Sequence, residues 1–130
     1  MSIVKVNTEG GAYSIHIAPN LLQQVGTSIP PDATSVVLIS NPAVFGLYGN
    51  TVLQSLQASG KKISVFEVPD GEAYKTLETL NSIYTFLLEQ RLDRRAVIVA
   101  LGGGVIGDMC GFAAATYMRG IRFIQVPTTL

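Results

Sequence analysis

Histidine, cysteine and tryptophan are nearly missing from this chain of 130 residues, which has one His, one Cys and no Trp. A lone Cys110 excludes a disulfide framework and an intrachain zinc knuckle. With His16 as the only imidazole, a His/His/carboxylate metal centre and most histidine relays are excluded too. Charge is also scarce: 14% of residues, against about 25% in ordinary soluble domains. Nine basic and nine acidic residues cancel. No basic surface therefore recommends nucleic acid or an anionic membrane as partner. No apolar run is long enough to span a membrane, and the start, Met1-Ser2-Ile3-Val4-Lys5, lacks the features of a signal peptide. A reducing, cytoplasmic setting is the expectation, and the length suits one domain over residues 1–130.

The charges present are unevenly placed. Twelve of the eighteen lie between Lys61 and Arg95, none lies in 33–60, and 96–118 holds only Asp108. A charge-poor surface of that extent sits most comfortably against a partner domain or subunit. The alternative is a sheet so well covered that no partner is needed.

Val4–Asn7 and Tyr13–Ile17 alternate around Glu9-Gly10-Gly11 and read as a hairpin, with His16 on its polar face. Pro19 opens a short helix to about Ile29. Ser35–Ile39 and Ala96–Leu101 are continuous apolar runs of strand length, the signature of parallel strands covered on both faces. Asn41-Pro42 caps a helix to Ala58 with a disturbance expected at Gly49. Ile63–Val68 is a further strand. Thr76 caps a helix to about Gln90 with Leu77, Leu80, Tyr84, Leu87 and Leu88 on one face. A helix from the glycines to about Met118 and a strand Ile121–Val126 complete the pattern. Strands alternating with helices predict an α/β fold: a Rossmann-like parallel sheet with helices on both faces, preceded by a β-hairpin, its ligands beyond the strands' carboxyl ends.

Three strand-to-helix loops end on that side: Asn41-Pro42, Pro69 to Lys75, and Gly102 to Asp108. Gly102-Gly103-Gly104-Val105-Ile106-Gly107 satisfies G-x-G-x-x-G between an apolar strand and a helix, the setting in which backbone amides receive a diphosphate. Gly107, Gly111 and Ala113 to Ala115 would also let that helix pack close to the sheet, and a ligand-free tight turn remains the alternative. This is not the ordinary dinucleotide fingerprint, because it arises late in the chain and no acid follows Asp108. Asp108, read as lying in the helix's first turn, would repel phosphate but accept a sugar hydroxyl, or simply complement the helix dipole. In the second loop, Asp70 and Glu72 can accept from ribose hydroxyls and Lys75 can neutralise phosphate, or all three merely solvate a turn. Thr128 and Thr129 bring two hydroxyls to the ligand side, and Arg119 is an anion candidate or a helix-end cap.

With these loops placed, the chain resembles the N-terminal part of the 3-dehydroquinate synthase family, within the sugar-phosphate cyclases. The resemblance is carried by Pro-Asp-Gly-Glu-Ala-Tyr-Lys-Thr (69–76), Gly-Gly-Gly-Val-Ile-Gly-Asp-Met-Cys-Gly-Phe-Ala-Ala-Ala-Thr-Tyr-Met-Arg-Gly (102–120) and Gln-Val-Pro-Thr-Thr-Leu (125–130). It implies an NAD site made by Asp70, Gly71, Glu72, Ala73, Tyr74 and Lys75, by Gly104, Val105, Ile106, Gly107 and Asp108, and by Thr128 and Thr129, with Arg119 binding a substrate phosphate. At Asn41, where some members carry an acidic ribose contact, that contact is not expected. The implied reaction converts 3-deoxy-D-arabino-heptulosonate 7-phosphate to 3-dehydroquinate plus phosphate, with NAD and a divalent metal, zinc or cobalt. Family members place the metal ligands and most substrate-binding lysines in a C-terminal helical domain, so this chain is expected to be an inactive N-terminal fragment of a homodimeric enzyme. A metal-dependent polyol dehydrogenase of the same superfold, or a nucleotide-binding module without chemistry, are the competing readings.

Overall fold

A computed structural model describes residues 2–128. Four strands, β3 (Ser35–Ser40), β4 (Lys62–Glu67), β5 (Val97–Gly102) and β6 (Arg122–Pro127), form a parallel sheet in the order β4-β3-β5-β6. The two apolar runs, β3 and β5, are its inner strands, and β5 is buried from end to end. The edges β4 and β6 are half-exposed and carry Lys62, Glu67, Arg122 and Gln125. A strand flanked on both sides and covered on both faces has no solvent face to make polar, hence the unbroken Val-Ile-Leu runs.

Each face has its own core. On one, Val37, Ile39, Ile98 and Ala100 meet Leu80, Ile83 and Leu87 of α3 (Leu77–Glu89) and Ile106, Met109 and Ala113 of α4 (Gly104–Thr116). On the other, Val36, Leu38, Val97, Val99 and Leu101 meet Val25 from a 3₁₀ segment, Leu21–Ser28, and Val52 and Leu56 of α2 (Asn50–Gln57). The expected two-faced parallel sheet is what forms.

The helix expected from Pro19 is instead that 3₁₀ segment, entered through Asn20 in the left-handed region (φ 62). Gly26, Thr27 and Ser28 supply little helix propensity. Gly26 also presses on α2, donating its N–H to Ser55 Oγ at 2.8 Å where a Cβ would collide with the Ser55 carbonyl. The disturbance expected at Gly49 is real. A short helix α1 (Pro42–Val44) passes through a π turn, Phe45–Gly49, into α2, and the buried Gly49 lies against the Phe45 ring. The Thr76 cap also forms: its Oγ1 accepts from Thr79 N at 3.2 Å.

Three local expectations differ. The α3 stripe is rotated: Leu80, Ile83 and Leu87 are buried, while Leu77 is 82% and Leu88 65% exposed. The fourth helix stops at Thr116, not Met118, because Met118 (φ 48) and Arg119 (φ 66) turn left-handed, while the buried Tyr117 donates its hydroxyl to Leu92 O at 2.9 Å. In the hairpin of β1 (Ser2–Thr8) and β2 (Gly11–Ile17), closed by Glu9-Gly10, no face is buried: Ile3, Tyr13 and Ile17 are each more than half exposed. His16 therefore meets solvent, but alternation there separates no inside from outside.

Candidate functional site

From β3 the chain steps outward to β4, then crosses back past β3 to β5 and on to β6. That reversal makes the carboxyl ends of β3 and β5 the switch point, the place where a crevice opens in doubly wound sheets. The two strand ends are joined there by the buried Ser40, whose Oγ donates to Leu101 O at 2.7 Å. Ser40 is a site residue outside the three loops. Its signal was a polar residue ending an otherwise apolar run.

The glycine turn lies at this edge, and its three fingerprint positions do different work. A Cβ on Gly102 would stand 2.9 Å from Ile106 Cγ1, and one on Gly107 would run into the Gln125 amide, so these two glycines permit the tight turn and the helix–strand contact. Gly104 faces open space. No side chain caps the helix at Gly103, which leaves the N–H groups of Gly104, Val105 and Ile106 aimed from the positive end of a 13-residue helix. Open approach and uncapped donors fit a diphosphate. A Cβ on Gly111 would stand 3.6 Å from the Phe123 ring, so the helix comes close to the sheet there too, although Ala115 faces solvent.

Asp108 stands fifth in the helix, past the first turn, because the helix begins at Gly104. Its carboxylate is already engaged: Lys75 Nζ lies 2.8 Å from Oδ2 and 3.9 Å from Glu72 Oε1. The hydrogen bond to Asp108, then the charges of Asp108 and Glu72, raise the Lys75 pKa. The loop holding them turns at Gly71 (φ 110) into a 3₁₀ turn, Glu72–Tyr74, with Ala73 and Tyr74 exposed. Asp70, at the loop's start, accepts from Asn41 Nδ2 at 3.3 Å, while Asn41 Oδ1 caps the helix after β3 by accepting from Val44 N at 2.8 Å. Beside the Lys75–Asp108 pair, a groove of about 430 Å³ has Leu77, Met109 and Phe112 among its walls.

Thr128 sits beside the glycine turn, its N–H donating to Gly102 O at 3.0 Å. Thr129 lies outside the described residues. Arg119 is not brought to this cluster: it follows the far end of α4, roughly 20 Å along the helix from the turn, at the opposite edge of the sheet. Cys110 is no candidate nucleophile, since burial pushes its thiol up to about 12. Among the described residues no group of three His, Cys, Asp or Glu side chains is placed to hold a metal ion, so the residues here do not fit one.

A switch-point crevice with an open glycine turn defines a Rossmann-like α/β domain. A family model described as 3-dehydroquinate synthase N-terminal matches residues 65–130, and the chain belongs to that family. The 3-dehydroquinate synthase of Bordetella pertussis is 61% identical over 130 residues, which is 100% of this chain and 36% of that protein. The chain thus spans about a third of the length of the curated relatives it matches. Among solved structures, 2-deoxy-scyllo-inosose synthase complexed with carbaglucose-6-phosphate, NAD+ and Co2+ superposes with a TM-score of 0.89 at 26% identity, covering 98% of this chain and 35% of that one. The 2-epi-5-epi-valiolone synthase of Streptomyces hygroscopicus with NAD+ and Zn2+ bound gives 0.73 at 26% identity, covering 86% and 31%.

Proposed function

We propose that residues 1–130 are the NAD-binding N-terminal domain of a 3-dehydroquinate synthase, a carbon–oxygen lyase of the shikimate pathway. The observation that supports this most is the uncapped glycine turn, open at Gly104, at the switch point of a chain in this family. In this reading the amides of Gly104, Val105 and Ile106 receive the diphosphate, Gly107 holds the helix close to β6, and Thr128 and Thr129 donate hydroxyls from the neighbouring strand end. Asp70, Gly71, Glu72, Ala73, Tyr74 and Lys75 wrap the ribose side, with Lys75 kept protonated by Asp108 and Glu72. NAD, when bound, supplies transient hydride acceptance at a ring alcohol of 3-deoxy-D-arabino-heptulosonate 7-phosphate; this chain's part is to bind and orient the dinucleotide. A divalent metal, zinc or cobalt, would be held by residues outside the described ones, and the enzyme works as a cytoplasmic homodimer. Contact of Arg119 with the substrate phosphate then requires a surface completed by another domain or subunit.

Supplied with heptulosonate phosphate, NAD and zinc or cobalt, the full-length polypeptide is expected to release phosphate without accumulating NADH, and residues 1–130 alone to do neither. Accumulating NADH from a polyol would favour a dehydrogenase instead, and turnover by residues 1–130 alone would refute the assignment of catalysis to other residues. NAD should raise the melting temperature saturably, and no shift at millimolar NAD would sink the cofactor assignment.

A further inference from the structure

In a doubly wound sheet, the acid that receives the adenosine ribose stands at the end of the strand beside the one carrying the glycine turn. Here that turn follows β5, whose neighbours are β3 and β6. Neither neighbour ends on an acid: β6 runs out at Pro127-Thr128, and β3 at Ser40-Asn41. The Ser40 side chain is committed to Leu101 O, and Oδ1 of the nearly buried Asn41 is committed to the Val44 amide. The Asn41 amide nitrogen remains, and it donates to Asp70 Oδ1. The loop bearing Asp70 is tied to the same place by backbone, since Val68 N donates to Ser40 O at 2.9 Å.

We propose that Asn41 is a positioning residue that holds Asp70 at the end of β3 as the acceptor for the adenosine ribose hydroxyls, and that this pair excludes a 2′-phosphorylated dinucleotide. The carboxylate missing from β3 is delivered from the next strand out, two side chains replacing the single acid of the ordinary fingerprint. Among the described residues Asp70 Oδ2 has no protein partner, so one oxygen is held and the other is free to accept from a ribose hydroxyl. A 2′-phosphate at that point would meet a carboxylate. The cation of the same loop, Lys75, is engaged by Asp108 and Glu72, and no arginine belongs to the loop or to the end of β3. The inference rests on the NAD reading above and adds the residue that sets its selectivity.

The test uses the full chain with Asn41→Ser, Asp70→Asn and the double substitution, titrated with NAD and with NADP by calorimetry. Serine keeps the helix cap but cannot reach Asp70, so the melting temperature without ligand should be unchanged. Wild type should prefer NAD strongly. Asp70→Asn should weaken NAD binding about tenfold, the scale of one charge-assisted hydrogen bond, and narrow the NAD-to-NADP ratio by a similar factor. Asn41→Ser should weaken NAD several-fold, and the double variant should bind no worse than Asp70→Asn, because Asn41 acts through Asp70. Wild-type NAD affinity in Asn41→Ser, an unchanged ratio in Asp70→Asn, or additive losses would each overturn the proposal while leaving the NAD site standing. If neither dinucleotide binds wild type, both readings fall. Asp70 is exposed, so its variant keeps the test decisive even if Asn41→Ser loses its fold.

Discussion

Lys75 and Asp108 are joined across 33 residues of sequence: the ammonium nitrogen lies 2.8 Å from carboxylate Oδ2, tying the loop after β4 to the second turn of α4. Glu72 approaches the same ammonium from 3.9 Å, so one cation serves two carboxylates. Phosphate neutralisation by Lys75 therefore competes with a partner already in place.

Replacing Asp108 by Asn removes the largest influence on Lys75, whose raised pKa should fall back towards 10.5. A lysine with a raised folded-state pKa contributes its pairing below the unfolded value and loses it as pH rises through the folded value. At pH 9–10, Asp108→Asn should expose more neutral amine, and acetylation of Lys75, followed by mass spectrometry, should accelerate relative to Lys62. Equal rates in the two proteins would mean the pair does not persist in solution. Because both side chains are largely exposed, added salt should erase the difference.

Gly102 and Gly104 should respond oppositely to alanine. At Gly102 the new methyl meets Ile106, and the overpacking should cost about 1–3 kcal/mol in urea unfolding. At Gly104 nothing stands within 4 Å, so stability should hold within about 1 kcal/mol. NAD affinity should nevertheless fall tenfold or more, since the methyl occupies the diphosphate approach. Undiminished NAD binding by Gly104→Ala would place the dinucleotide elsewhere.

Ser40→Ala removes the only side-chain hydrogen bond described between the ends of β3 and β5. The loss should be about 0.5–1.5 kcal/mol, read from the urea midpoint with an unchanged slope. A neutral result would show that water replaces the hydroxyl at Leu101.

Cys110 should resist iodoacetamide at pH 8 until urea unfolds the chain. Its thiol keeps its proton up to about pH 12 when folded, against 9.0 when free. The folded state thus binds more protons between those values, and stability should be flat below pH 9 and fall as pH rises through that window. Subtracting the same profile for Cys110→Ala isolates the thiol's share, and native-state alkylation at pH 8 would show that the core opens locally.

The parallel sheet, the glycine turn and the Thr76 cap were legible in the sequence because each is fixed by local chemistry: unbroken apolar runs, a glycine spacing, a hydroxyl before a helix. The α3 stripe differs because Leu77, Leu80, Tyr84, Leu87 and Leu88 all fit helical spacing, and spacing alone does not say which strip of the helix meets the sheet. Ile83, not Leu77 or Leu88, is buried in the same core as Val37 and Ile98. The order of strands is written in no single segment, and with it went the meeting of Asn41 and Asp70. Arg119, an anion candidate whose substrate role comes from the resemblance alone, follows the far end of α4, away from the ligand loops.

The reversal of strand order at β3 also governs when the crevice comes into existence during folding. Ser40 and Leu101 touch across 61 residues, so that edge cannot form until β4 and α3, which lie between them in the chain, have been looped out and β5 has docked. Such non-local closure is slow relative to helix formation, and a partly folded chain would hold helices and the β3–β4 pair before it held a place for a dinucleotide. Cofactor binding would then report assembly of the whole sheet, and ligand would act as a check on completed folding rather than as a seed for it.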